Sequence, residues 1–167
     1  LLGHIESRTA PHNYFASSIA GVLIPHGRSL QRDAAAPDYY RFPRAVVTVD
    51  AEPSASDGNG GMLLKHRLYL GYQETADLIE VISYNEAAGR FEFQIVDNYR
   101  AGGTPTVRYA SRQLCTACHQ NGAPIFARPL WDESNANRII AARLREENRA
   151  FYGLAVDQSI DVAYAID

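Results

Sequence analysis

The sequence predicts an α+β fold in which an antiparallel β-sheet comes first and a loop and a C-terminal helix follow. Two observations predict the sheet. Short apolar or alternating stretches, several rich in β-branched residues, recur between residues 19 and 110. Clusters of glycine, proline, asparagine and aspartate separate them, as at turns between strands. The third observation is a helical spacing of apolar residues from about Asn137 to Arg149, which predicts the helix near the end of the chain.

The strands are predicted in sequence order. Residues 1–18 show no clear periodicity and are expected to form an arm. Residues 29–44 are a connecting segment whose aromatic side chains fold it onto the core, and Glu52–Gly61 has the composition of a flexible loop. The predicted strands are Ile19–Ile24, Ala45–Val49, Met62–Tyr72, Asp77–Tyr84, Arg90–Asp97 and Val107–Ala110.

The third predicted strand carries a histidine within an apolar pattern. Because side chains alternate between the two faces of a strand, every second residue from Met62 lies on the same face. That face would hold Met62, Leu64, His66, Leu68 and Leu70. His66 is therefore expected in the middle of an apolar surface.

The next two strands are predicted to form a hairpin around Asn85–Gly89. The alternation in its second strand separates an apolar set from a polar set. The side chains predicted to face inward are Phe91, Phe93 and Ile95, and those predicted to face outward are Arg90, Glu92 and Gln94.

The C-terminal helix has a predicted cap and a predicted buried stripe. Asn135 is the expected cap. Ile139, Ile140 and Leu144 are the expected buried residues, and Phe151–Asp167 is expected to be a strand or loop. We therefore predict a single domain over residues 1–167, consisting of an arm (1–18), a β-rich part (19–110), a loop (111–135), and a helix and tail (136–167).

The composition excludes some classes of partner. The chain of 167 residues has 46% hydrophobic and 21% charged residues, as in an ordinary globular protein. Its net charge of −3, from 16 basic and 19 acidic residues, does not suggest binding to nucleic acid. No stretch approaches the roughly 18 apolar residues that cross a bilayer, so no membrane span is expected.

The most informative stretch is Cys115-Thr116-Ala117-Cys118-His119, which contains the only two cysteines. The spacing C-x-x-C-H is the attachment signal for haem c: the two thiols become thioethers to the haem vinyl groups, and the imidazole binds the iron. A redox dithiol, a disulfide and half of a zinc site are the alternatives. Zinc would need two more ligands, and no second cluster of cysteine or histidine supplies them. The motif therefore predicts one covalent haem and makes the predicted loop over residues 111–135 a haem-binding loop.

With Cys115, Cys118 and His119 in these positions, the chain resembles the monohaem c-type cytochromes. It does not resemble their small helical type, in which the motif comes early and a later methionine binds the iron, because here the motif is late and Met62 is the only methionine. Its layout is similar to that of the β-rich cytochromes c-prime. The resemblance implies haem attachment outside the cytoplasmic membrane, hence a periplasmic or extracellular location. The start at Leu1, without an initiator methionine, suggests a processed protein or a fragment.

Further site residues follow from the same resemblance. The carbonyl of Pro124 would accept the second N–H of the proximal imidazole, and Arg128 and Trp131 follow the motif closely enough to bind the haem propionates. His66 is the predicted sixth ligand of the iron, because it lies on the predicted apolar face. The alternatives are Met62, His26, His12 and His4, or an open sixth position.

Three functions compete. The leading one is an exported electron carrier with a six-coordinate haem and a redox partner protein. The second is a five-coordinate haem protein that binds or converts a small ligand such as nitric oxide, hydroxylamine or peroxide. The third is a haem-bearing module of a larger assembly, either a homo-oligomer or a polymer. What occupies the sixth position of the iron distinguishes the first two.

Overall fold

A computed structural model describes residues 1, 9–11, 19–49, 51–53, 66–120, 122 and 133–157. The strands in this part of the chain are β1 (Thr9–Pro11), β2 (Ile19–Ile24), β3 (Arg44–Val49), β4 (Ala51–Pro53), β5 (Leu68–Tyr72), β6 (Leu78–Asn85), β7 (Arg90–Asp97) and β8 (Thr106–Tyr109). The helices are α1 (Arg112–Thr116) and α2 (Arg138–Glu146), and short 3₁₀ turns lie at Arg32–Ala35 and Phe151–Gly153.

Six of these strands form one antiparallel sheet in the order β2-β3-β5-β6-β7-β8. Strands β1 and β4 pair separately as a two-stranded ribbon. The prediction of an antiparallel sheet is confirmed, and the described part of the chain is mostly β with a small helical share. Neither helix in that part has the length and apolar character that crossing a bilayer requires.

One face of the sheet, here called the core face, carries most of the hydrophobic core. Residues directly opposite each other on neighbouring strands share a face, and Val47, Leu70 and Val81 are opposite one another on β3, β5 and β6. They form one buried cluster. On the same face, Leu23 and Ala45 pack against Ile140, Leu144 and Phe151. Helix α2 and the turn after it therefore cover the core face beside β2 and β3.

The opposite face, here called the aromatic face, is built on β5, β6 and β7. Tyr69, Ile82 and Phe93 are opposite one another across these strands, and Phe91 lies on the same face of β7, two residues before Phe93. The ring of Phe91 contacts Tyr84 and Tyr69, with centroids 5.2 and 6.2 Å away. Phe93 is only 4% exposed, so other parts of the chain cover this face of the sheet as well.

The predicted position of His66 is wrong. Strand β5 begins at Leu68, and His66 lies in the turn before it, exposed and with a φ of +55°. Its N–H donates to the carbonyl of Val49 at 3.2 Å. The alternation therefore does not extend back to His66, and Met62 lies outside the described residues.

The hairpin prediction is confirmed, and its inward and outward sets need one correction. Phe93 and Ile95 are buried as predicted. Glu92, predicted to face outward, is only 8% exposed. Its carboxylate is 2.8 Å from Nε of Arg90 and 3.6 Å from Nη1 of Arg112. Both faces of β7 are covered, and two arginines neutralise the acid that alternation assigned to solvent.

The helix prediction is confirmed in kind and corrected in detail. The cap of α2 is Asn137, whose side chain accepts the N–H of Ile139 at 2.9 Å. The buried residues are Ile140, Ala141 and Leu144, and Ile139 is 79% exposed. The predicted cap, Asn135, is buried in another role described below.

The predicted arm and loop each contain a short strand, because β1 in the arm pairs with β4 at the start of the predicted loop 52–61. Positions 54–61 lie outside the described residues. The C-terminal stretch predicted as strand or loop begins with the 3₁₀ turn Phe151–Gly153, and positions 158–167 are also outside the described residues.

Candidate cofactor site

The C-x-x-C-H motif begins in α1, a five-residue helix that follows β8 after two residues. The N–H of Cys115 donates to the carbonyl of Ser111 at 3.4 Å. Beyond Thr116, the last residue of the helix, the backbone keeps turning: the carbonyl of Cys115 accepts the N–H groups of Cys118 at 3.2 Å and His119 at 2.9 Å. The motif, predicted as part of a loop, is therefore a continuous helical turn.

This turn gives the three reactive side chains a common direction. Residues at i, i+3 and i+4 of a helical turn lie on one face, and these are the spacings of Cys115, Cys118 and His119. Both cysteines are free thiols, and all three side chains are half-buried. The arrangement can present two thiols and one imidazole to the same ligand.

The imidazole of His119 packs against the aromatic face of the sheet. Its ring centroid is 5.4 Å from that of Phe93, and the two ring planes are tilted by 50°. The carbonyl of His119 accepts the N–H of Gly122 at 2.7 Å, and Gly122 has a φ of +66°, a conformation that favours glycine. The histidine is thus held by the turn on one side and contacts a buried ring on the other.

The environment of Cys115 favours a protonated thiol. Burial is the main cause that raises the pKa of Cys115, and the carboxylate of Glu80 raises it further, while Arg112 lowers it. The thiol also lies near the C-terminal end of α1, where the helix dipole disfavours a negative charge. Reactive dithiols have a lowered pKa, so these surroundings do not suit a redox dithiol.

Glu80 is the acid whose field reaches Cys115, and it is itself neutralised. One carboxylate oxygen lies 2.8 Å from Nη1 of Arg44, and the other accepts the N–H of Leu30 at 2.8 Å. Glu80 is opposite Gly71 on β5 and Ile95 on β7, which places it on the aromatic face. The motif therefore lies over that face rather than over the core face.

The donor set fits haem c better than zinc. Among the described residues, no three histidine, cysteine, aspartate or glutamate side chains are close enough together to hold a metal ion. Zinc requires its ligands to converge on one point. In haem c the thiols bond to carbon and only the imidazole bonds to iron, so the three groups need to share a face and not a point. The helical turn meets that requirement.

The structure brings together some of the predicted site residues. Cys115, Cys118 and His119 share one turn, as described above. His66 lies at the start of β5, two strands from β7, and His26 lies beyond the end of β2, against Tyr39 and Tyr40. The other predicted residues, outside the described part of the chain, are Pro124, Arg128, Trp131, Met62, His12 and His4.

Sequence reasoning did not assign Phe93, Glu80 or Arg112 to the site. The alternation marked Phe93 as inward, but it could not tell which layer would cover it. No local signal points to Glu80, because the packing of the motif on the sheet brings it near Cys115; Arg112 lies one helical turn before Cys115, a spacing that could have indicated it. No family model, curated protein or solved structure matches the chain.

Proposed function

We propose that the chain binds one haem c covalently through Cys115 and Cys118, with His119 as the proximal ligand of the iron, and acts as an exported electron carrier. The observation that carries the proposal is the single helical turn that directs two free thiols and one imidazole to the same side. The C-x-x-C-H spacing specifies this chemistry, and the local backbone suits it.

The two cysteines, His119 and the sheet have separate tasks in this proposal. The two thiols fix the position of the cofactor, and His119 holds the iron from one side. The sheet behind His119 limits the access of water to the proximal side, because Phe93 and Ile95 are buried there. The bound haem supplies reversible one-electron chemistry. A rigid sheet suits this task, since electron transfer needs little rearrangement of the protein.

For the sixth position of the iron, we propose His66. Strands β2 and β7 are four strand spacings apart, on the order of 19 Å, so His26 is too far across the sheet to bind the iron held by His119. His66 precedes β5, about 10 Å across the sheet from β7. Its exposed side chain, on the turn that leads into β5, is the better candidate of the two described histidines.

One observation supports the alternative of a five-coordinate haem protein that binds or converts a small ligand. His66 lies in an exposed turn and not on an apolar strand face, so it lacks the apolar surroundings expected of a buried iron ligand. Without a protein ligand the sixth position would be open to nitric oxide, hydroxylamine or peroxide. A haem module of a larger homo-oligomer or polymer is the third candidate.

The proposal places the protein in the periplasm or outside the cell, with a redox protein as its partner. The decisive test is the absorption spectrum of the dithionite-reduced protein, produced with a cytochrome c maturation system, before and after carbon monoxide is added. We expect a sharp low-spin spectrum that carbon monoxide leaves unchanged. A high-spin spectrum that carbon monoxide shifts would favour the ligand-binding alternative, and a protein without covalent haem would refute both.

A further inference from the structure

We infer that Phe93 is a positioning residue that fixes the angle of the His119 imidazole about its own axis. The inference rests on the proposed function, because the angle matters only if His119 binds the iron. It is carried by the contact between a buried phenyl ring and the imidazole, whose centroids lie 5.4 Å apart with the ring planes tilted by 50°.

Phe93 has little freedom to move. It is 4% exposed and lies in the middle of β7, which is paired with β6 on one side and β8 on the other. Its carbonyl accepts the N–H of Ala110 at 2.9 Å, and Ile82 is directly opposite it on β6. The phenyl ring is therefore a fixed surface and not an adjustable one.

The backbone of His119 is held by two hydrogen bonds. Its N–H donates to Cys115, and its carbonyl accepts from Gly122. These bonds fix the position of Cα and leave the two side-chain torsions to be set by contacts. Phe93 lies against one side of the imidazole and so limits the rotation of the ring.

The angle of an axial imidazole has a spectroscopic consequence. It sets how the ligand orbitals overlap with those of the iron, and so it sets the spacing of the g values in a low-spin ferric haem. If the ring samples several angles, the g values spread and the resonance lines broaden. Line width therefore reports on the positioning of His119, independently of any activity.

Phe91 provides a matched control for Phe93. It is the same residue type on the same strand and the same face, but its ring contacts Tyr69 and Tyr84. Replacing either phenylalanine with leucine removes a ring from the aromatic face. Only the change at Phe93 removes a contact with His119.

The test compares the low-spin EPR spectra of the wild type, Phe93→Leu and Phe91→Leu, after intact-mass measurement has shown one covalent haem in each. We expect broadened lines in Phe93→Leu and wild-type lines in Phe91→Leu. Unchanged lines in Phe93→Leu, or equal broadening in both variants, would overturn the inference. If the mass shows no haem in the wild type, it is the proposed function that has failed.

Two additions cover the case in which Phe93→Leu does not fold. Phe93→Met keeps most of the buried volume without a planar ring, and it is expected to broaden the lines in the same way. In the reduced low-spin wild type, the ring protons of Phe93 and His119 should show nuclear Overhauser effects, since their centroids are 5.4 Å apart. Absence of these effects would show that the contact does not form.

Discussion

Asn135 continues the hydrogen bonding of the sheet beyond Leu23. Its Oδ1 accepts the N–H of Leu23 at 2.8 Å, and its own N–H donates to the carbonyl of Leu23 at 3.0 Å. Because β2 is an edge strand, these backbone groups have no strand partner on that side. The Nδ2 group of Asn135 also donates to the carbonyl of Val156 at 2.8 Å. One buried side chain thus connects the sheet edge to the segment after α2.

The first prediction concerns this connection. Asn135→Ala should lower the free energy of unfolding by about 2 kcal/mol, because it leaves a buried N–H of Leu23 without an acceptor. Asn137→Ala, which removes the side-chain cap of α2, should cost about 1 kcal/mol. Urea unfolding of both variants at pH 7 measures the difference. A smaller loss for Asn135→Ala than for Asn137→Ala would contradict the assigned role.

The second prediction concerns the thioether bonds. A double variant, Cys115→Ser with Cys118→Ser, should lose covalent haem, since a hydroxyl does not add to the vinyl groups. Thr116→Ser is the matched control, because it changes a residue between the cysteines and keeps the hydroxyl that donates to the carbonyl of Arg112. Haem staining after denaturing electrophoresis provides the measurement. Haem that stays bound to the double variant would refute thioether attachment.

The third prediction concerns the sixth ligand of the iron. If His66 occupies that position, His66→Ala should turn the reduced spectrum high-spin and allow carbon monoxide to bind. His26→Ala should leave the spectrum unchanged, because His26 packs between Tyr39 and Tyr40 near the far edge of the sheet. Equal, wild-type spectra in both variants would exclude His66 as the ligand.

The fourth prediction concerns stability at alkaline pH. Burial, followed by the carboxylate of Glu74, raises the pKa of Tyr152 from 10.0 to about 12. The folded state therefore holds this proton more tightly than the unfolded state does. The resulting stability is fully present below pH 10 and is lost as the pH rises from about 10 to about 12.

The loss attributable to Tyr152 should be on the order of 1 kcal/mol, since its partial exposure screens the effect. Tyr152→Phe has no proton to lose, so its stability should fall less over this range when followed by urea unfolding at successive pH values. Some decline should persist, because burial also raises the pKa of Tyr69 and Tyr72. Parallel pH curves for the wild type and Tyr152→Phe would contradict the assignment.

Local patterns in the sequence were sufficient for most of the sheet. The predicted strand Ile19–Ile24 and the predicted hairpin strand Arg90–Asp97 have the same bounds in the structure. Both are flanked by turn residues and rich in residues that favour strands, so short-range sterics specify them. The spacing of Cys115–His119 is also a local signal, and the haem attachment that it indicates stays a prediction.

Periodicity failed where the backbone changed direction. The predicted alternation required His66 to lie in a strand. His66 has a φ of +55°, and strand β5 begins only two residues later, at Leu68. In the buried stripe of α2, Ala141 takes the place predicted for Ile139, because the orientation of the helix follows from packing on Leu23 and Ala45. In both cases the local sequence pattern fits more than one arrangement, and packing with distant parts of the chain selects one of them.

The sequence by itself determined the strands, the helix and the cofactor chemistry to be tested, because strand alternation, helix spacing and C-x-x-C-H all act over a few residues. Only the tertiary structure decided what surrounds the motif. Packing of the motif on the sheet brings Glu80 close enough to raise the pKa of Cys115, 35 positions away in the sequence. It also puts Phe93 against His119, 26 positions away. Such contacts depend on which strands pair and which face is covered, and no local pattern encodes either.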